Sequence, residues 1–134
     1  MKISSISKRF IVFLALTSLA ISACEKIDLD SEFILKIGEN KKINSHLSFK
    51  VYDLTDSRCP INLNCITAGD VTLILNIEHS NKHVMKVVSF NENQNNPFSY
   101  HGYLWKIIEV NPYPISLETL DPMDFTIKII ISKD

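Results

Sequence analysis

Four stretches of this chain place apolar residues at every second position, and that period suits only a pleated strand with one face buried. Phe33, Leu35 and Ile37 alternate with Ile34 and Lys36. Leu47, Phe49 and Val51 alternate with Ser48 and Lys50. Val71, Leu73, Leu75 and Ile77 alternate with Thr72, Ile74, Asn76 and Glu78, and Phe125, Ile127, Ile129 and Ile131 make the cleanest set. No stretch beyond residue 24 sustains the 3.6-residue period of an amphipathic helix. His79-Ser80-Asn81-Lys82 reads as a hairpin tip from which 84–90 returns, 91–97 is polar and breaks structure, and 103–110 is a further strand. Pro112, Pro114 and Pro122 punctuate a loop that cannot sit mid-sheet. Six or seven strands joined by short turns in about 100 residues predict an all-β fold. The expected form is an antiparallel β-sandwich of immunoglobulin-like general architecture, with a small barrel as the other solution.

Composition narrows the function classes. A chain of 134 residues, 46% hydrophobic and with a net charge of −1, has room for one small domain and is too apolar to be disordered. Lys and Arg together (14) do not exceed Asp and Glu (15), which argues against a nucleic-acid partner on charge grounds.

The N-terminus reads as an address. Lys2, Lys8 and Arg9 precede an uncharged stretch, 10–23, that is too short for a mature spanning helix of about 20 residues. It fits the apolar region of a signal peptide. The stretch ends Ile21-Ser22-Ala23-Cys24, which resembles the lipobox of bacterial lipoproteins. That resemblance implies cleavage before Cys24 and acylation of its thiol with palmitate-type chains. Each buried CH2 contributes about 0.8 kcal/mol, so several chains make a durable anchor. The alternative is an ordinary cleavage site with a spare Cys. The expected organisation is a signal peptide at 1–23, a lipidated acidic tether at 24–32, and one β domain at 33–134. Glu25 after the Cys, rather than Asp, favours the outer membrane, with the domain periplasmic or surface-exposed.

Three Cys is an odd number for an exported chain. With Cys24 acylated, Cys59 and Cys65 remain to pair in an oxidising compartment. The seven-residue ring they close is worth roughly 2.4 kcal/mol in the chain-entropy account. A metal-thiolate pair is the other reading, but the C-x5-C spacing is wider than the usual knuckle and no second ligand pair lies nearby.

Residues 56–69 read Asp-Ser-Arg-Cys-Pro-Ile-Asn-Leu-Asn-Cys-Ile-Thr-Ala-Gly. With Val110-Asn111-Pro112-Tyr113-Pro114 further on, this resembles a D-S-R-C-P…C-x-x-A-G signature of small exported bacterial β-rich proteins and lipoproteins. The resemblance implies an exported β domain and no particular activity, and Thr67 stands where that family often has Trp. The residues also speak for themselves. Pro60 fixes a backbone angle after Cys59, Gly69 permits a positive φ at the strand entry, and Asn62 and Asn64 tolerate turns. Arg58 can pair with Asp56 or with Asp70 through its two-pronged guanidinium. Two uses follow. The loop is a stapled crossover locked by an Arg–Asp pair, or it is a rigid recognition element offering Arg58 to an anionic partner group. An inhibitor of an exported hydrolase would use the second form as a wedge, with Arg58, Ile61 and Leu63 projecting.

Other candidates are weaker. His79 and His83 flank the hairpin tip and could meet across it, but a metal site needs a third or fourth ligand. Tyr103 and Trp105 share a strand face and form either a binding strip for a sugar or peptide, or part of the core. No nucleophile elbow, zinc-protease helix or phosphate loop is present, so nothing points to an enzyme or a cofactor. The expected partners are a membrane, through the anchor, and an unidentified protein.

Overall fold

The computed structural model describes residues 25–94 and 97–134; the expected signal peptide and Cys24 lie outside the described residues. Nine strands form two sheets: β1 (Glu25–Lys26), β2 (Glu32–Lys36), β3 (Lys41–Lys42), β4 (Leu47–Asp56), β5 (Val71–His79), β6 (Lys82–Phe90), β7 (Phe98–Tyr100), β8 (Tyr103–Asn111) and β9 (Thr126–Lys133). One sheet runs β1-β3-β4-β5-β6 and the other β2-β9-β8-β7, all antiparallel except the β1–β3 contact. The expected all-β sandwich is therefore the observed one. The strand number is nine rather than six or seven, because β1, β3 and β7 are too short to display a period.

The alternating residues do what their period requires. Leu47, Phe49, Val51, Val71, Leu73, Leu75 and Ile77 face Leu35, Ile107, Ile127, Ile129 and Ile131 across the interior, and all are buried. Aromatic rings cross the core in a line. Phe33 meets Phe49 edge-on at 6.3 Å, Phe49 meets Trp105 at 4.8 Å, and Trp105 stacks on Phe98 at 5.7 Å. Trp105 Nε1 donates to Tyr100 O, so its one polar group is satisfied inside. Trp105 is thus a core residue, and Tyr103 packs against the same core rather than forming an open strip. The hairpin tips at Ser80-Asn81 and His101-Gly102 have positive φ at both central residues, as two-residue turns matched to strand twist demand.

Two features differ from expectation. The first is the acidic tether. From Glu25 onward it belongs to the fold: Glu25 lies opposite Lys41, Ile27 is buried, and Ile27 N donates to Lys42 O at 2.9 Å. The hydrogen bond and charge of Lys41 hold the Glu25 carboxyl below its ordinary pKa. The second is a pair of bulges. The register of β4 shifts between Val51 and Asp53, and that of β8 between Ile107 and Glu109. Each inserts one residue and reverses the alternation. Before its bulge β4 buries odd-numbered residues, and after it Leu54 is buried. Asp56 consequently lies opposite the fully buried Val71, on the inner face. In β8 the same shift turns Val110 inward. The two bulges aim the ends of β4 and β8 at each other.

Candidate functional site

Beyond those two strand ends the chain forms loop 57–70, between β4 and β5, and loop 112–125, between β8 and β9. Arg58 joins them. Its side chain is only 4% exposed. Nε donates to Asp56 Oδ1 at 2.9 Å and Nη2 to Asp56 Oδ2 at 2.7 Å, a two-pronged pair. Asp56 Oδ1 also accepts from the Arg58 backbone N. The other prongs reach the second loop: Nη1 donates to Val110 O and Nη2 to Pro112 O, both at 2.9 Å. The guanidinium carbon lies 4.6 Å from the centre of the Tyr113 ring, and Tyr113 Oη donates back to Cys59 O at 3.1 Å. Glu92 stands 3.7 Å from Nη1. A buried cation with this many partners is held, and removing it strands carbonyls and a carboxylate at a cost of about 3–5 kcal/mol.

The disulfide is present: Cys59 and Cys65 are bonded, with Cα atoms 5.9 Å apart. Cys59 N donates to Ala68 O, and Ser57 N donates to Asp70 O, so the loop closes like a short ladder below the staple. Gly69, at φ +70°, lies so close to this ladder that a Cβ would sit 1.9 Å from Ser57 O. Asp70, the alternative partner for Arg58, instead accepts from Ser57 Oγ at 3.0 Å. Pro60 lies inside the ring directly after Cys59, and Ile61 N donates to Pro114 O while Asn62 Nδ2 donates to Ile115 O. Loop 57–70 is thus braced to loop 112–125 at both its base and its tip. The Asn111–Pro112 peptide is cis.

The arrangement corrects one half of the sequence reading. Arg58 is turned into the protein, so it is not offered to an anionic group. Ile61 is 67% exposed, and Leu63 and Ile66 are exposed with it. The opposite loop adds exposed Ile115, Leu117, Leu120 and Met123. Seven of the thirteen large apolar side chains that the described residues expose therefore sit on these two loops. Between the loops lies a cleft of about 710 Å³, walled by Leu54, Pro60, the disulfide, Pro114, Leu117, Leu120 and Phe125, with the Asp56–Arg58 pair, Glu118 and several hydroxyls as its polar points. That volume is in the range of ligand-accepting clefts. Sequence reasoning placed a loop at 112–122 but gave it no part in the candidate surface. Its signal was available: aliphatic residues within a Pro-punctuated segment that has no strand period to bury them.

The histidines are not assembled. In the β5–β6 hairpin His79 faces Lys82 and Glu78 faces His83, so His79 and His83 point to opposite sides of the sheet. His79 instead stacks on His101, ring centres 4.3 Å apart. Among the described residues no group of three or more His, Cys, Asp or Glu could hold a metal ion. Compared with family models, with characterised proteins and with solved structures, the chain matches none.

Proposed function

We propose that this chain is a lipid-anchored extracytoplasmic protein, acylated at Cys24 and held at the outer membrane, which binds a partner protein through its stapled end and carries no catalytic machinery of its own. One observation carries the binding part: two mutually braced loops, one closed by a disulfide, expose seven apolar side chains, two of which, Leu117 and Leu120, line the cleft between them. Soluble proteins seldom expose a contiguous apolar surface without a use for it. A rigid display also loses little conformational entropy on docking. The signal-like N-terminus and the lipobox support the anchor. Inhibition of an exported hydrolase is a specific form of the same reading, favoured by exposed Ile61 and Leu63 within the stapled ring and Ile66 directly after it. In that form the aliphatic tip leads the wedge, and Arg58 supports it from within.

The test uses the full chain in its own envelope. A photo-crosslinking residue is placed at Ile61, at Leu117, or at Lys106 on the outer face of β8 as a control. Discrete protein adducts from the first two positions and none from the third are expected. A Cys24→Ala chain should also leave the membrane fraction. Equal adducts from all three positions, or none from the loops, would refute the binding surface. Retention of Cys24→Ala at the membrane would refute the anchor.

A further inference from the structure

We propose that the cleft between loops 57–70 and 112–125 receives a segment of a partner protein that carries a bulky apolar side chain flanked by lysine or arginine. This rests on the binding reading above and names the chemistry of its partner.

The argument is one of charge. The chain has no lysine between positions 51 and 81, and none between 107 and 127. The sole cation of the two loops is Arg58, which is buried and paired. The same loops carry Asp70, Glu118, Asp121 and Asp124, none of which makes an ion pair among the described residues. Glu92 stands at the same end of the sandwich, 3.7 Å from Arg58. A cleft with Glu118 in its wall, and with Asp121 and Asp124 following on the same loop, selects a cationic segment, since complementary potentials speed encounter and like charges are excluded.

Two other occupants fit less well. A second copy docking through the same end would bring acidic loop against acidic loop, because a two-fold contact repeats one patch on both sides. An anionic lipid surface would meet the same repulsion.

The test holds the full acylated chain in nanodiscs and measures binding of three synthetic peptides. All share a Leu-Phe-Leu centre; the flanks are Lys, Ser or Glu. The Lys-flanked peptide should bind roughly tenfold tighter than the Ser-flanked one, and the Glu-flanked one weakest. Raising NaCl from about 50 mM to about 500 mM should erase most of that difference. Leu117→Asp should abolish binding of all three. A triple change of Glu118→Gln, Asp121→Asn and Asp124→Asn should bring the Lys-flanked peptide to the level of the Ser-flanked one. Peptides that bind equally, yet are lost in Leu117→Asp, overturn the charge inference and leave the docking end standing. Binding indifferent to Leu117→Asp, or absent for every peptide, overturns the inference; the crosslinks at Ile61 and Leu117 decide the broader reading independently. Self-association in sedimentation that Leu117→Asp removes would assign the cleft to a second copy. Capture of phosphatidylethanolamine–phosphatidylglycerol vesicles by the nanodisc-held chain would assign it to lipid. Either result overturns the proposal.

Discussion

A guanidinium has five N–H bonds in one plane, and Arg58 commits four of them to Asp56, Val110 and Pro112 while the fifth faces Glu92. An ammonium has no such plane and cannot bridge a carboxylate and two carbonyls in the same way. Arg58→Lys is therefore expected to lose about 3 kcal/mol of stability while keeping the formal charge, read by urea denaturation. A loss below about 1 kcal/mol would show that charge alone suffices there. Gly69 is constrained by space rather than by polarity. Its Cβ would have to displace the Ser57 carbonyl, and its φ is in the left-handed region. Gly69→Ala should cost about 3 kcal/mol or more and disturb the ladder below the staple, visible as lost amide protection at Ser57 and Cys59. Native-like stability in that variant would mean the two strands separate more easily than the geometry indicates. Much of this site was legible. Cys59 and Cys65 announced their bond by parity and spacing, and Asp56 was one of two partners foreseen for Arg58. The rest, Val110, Pro112 and Tyr113, lies more than fifty positions away, and no local pattern links residues at that distance.

At the scale of elements, β6 poses a problem that the chain solves with one residue. It is nine residues long and forms the open edge of the five-stranded sheet, with Val84, Met85 and Val87 exposed. Such an edge invites pairing with another chain. Lys86, opposite the buried Leu75, points inward, and its ammonium lies 5.1 Å from the Phe98 ring and 5.4 Å from that of Tyr100. Its stem covers the core while its charge guards the gap between the sheets. Lys86→Val should leave the fold intact and produce concentration-dependent association; a strictly monomeric variant across the range studied by sedimentation would dismiss the guard role. The strands with four or more alternating positions were readable directly. The bulges were not. Each hides in a run of residues that continues to look strand-like, yet it reverses every side chain beyond it. That reversal decides that Asp56 faces inward.

The molecule as a whole is polar in its chemistry. Its stapled end joins exposed aliphatic groups to carboxylates that make no ion pair among the described residues, and its lysines lie elsewhere. Its amino end has a different consequence. Glu25 is already paired with β3, and Ile27 is already in the core, so position 24 adjoins ordered structure without slack. Nine flexible residues would have let an anchored domain wander through about 17 Å. Under acylation of Cys24 that freedom is missing. Inserting twenty Gly/Ser residues between Cys24 and Glu25 should lower the crosslinking yield from Leu117 several-fold if the partner stands at a set height above the bilayer; an unchanged yield would speak for a partner free in solution. A domain mounted this way works as a post rather than a leash: it cannot go looking, and whatever it meets has to pass at the level where it stands.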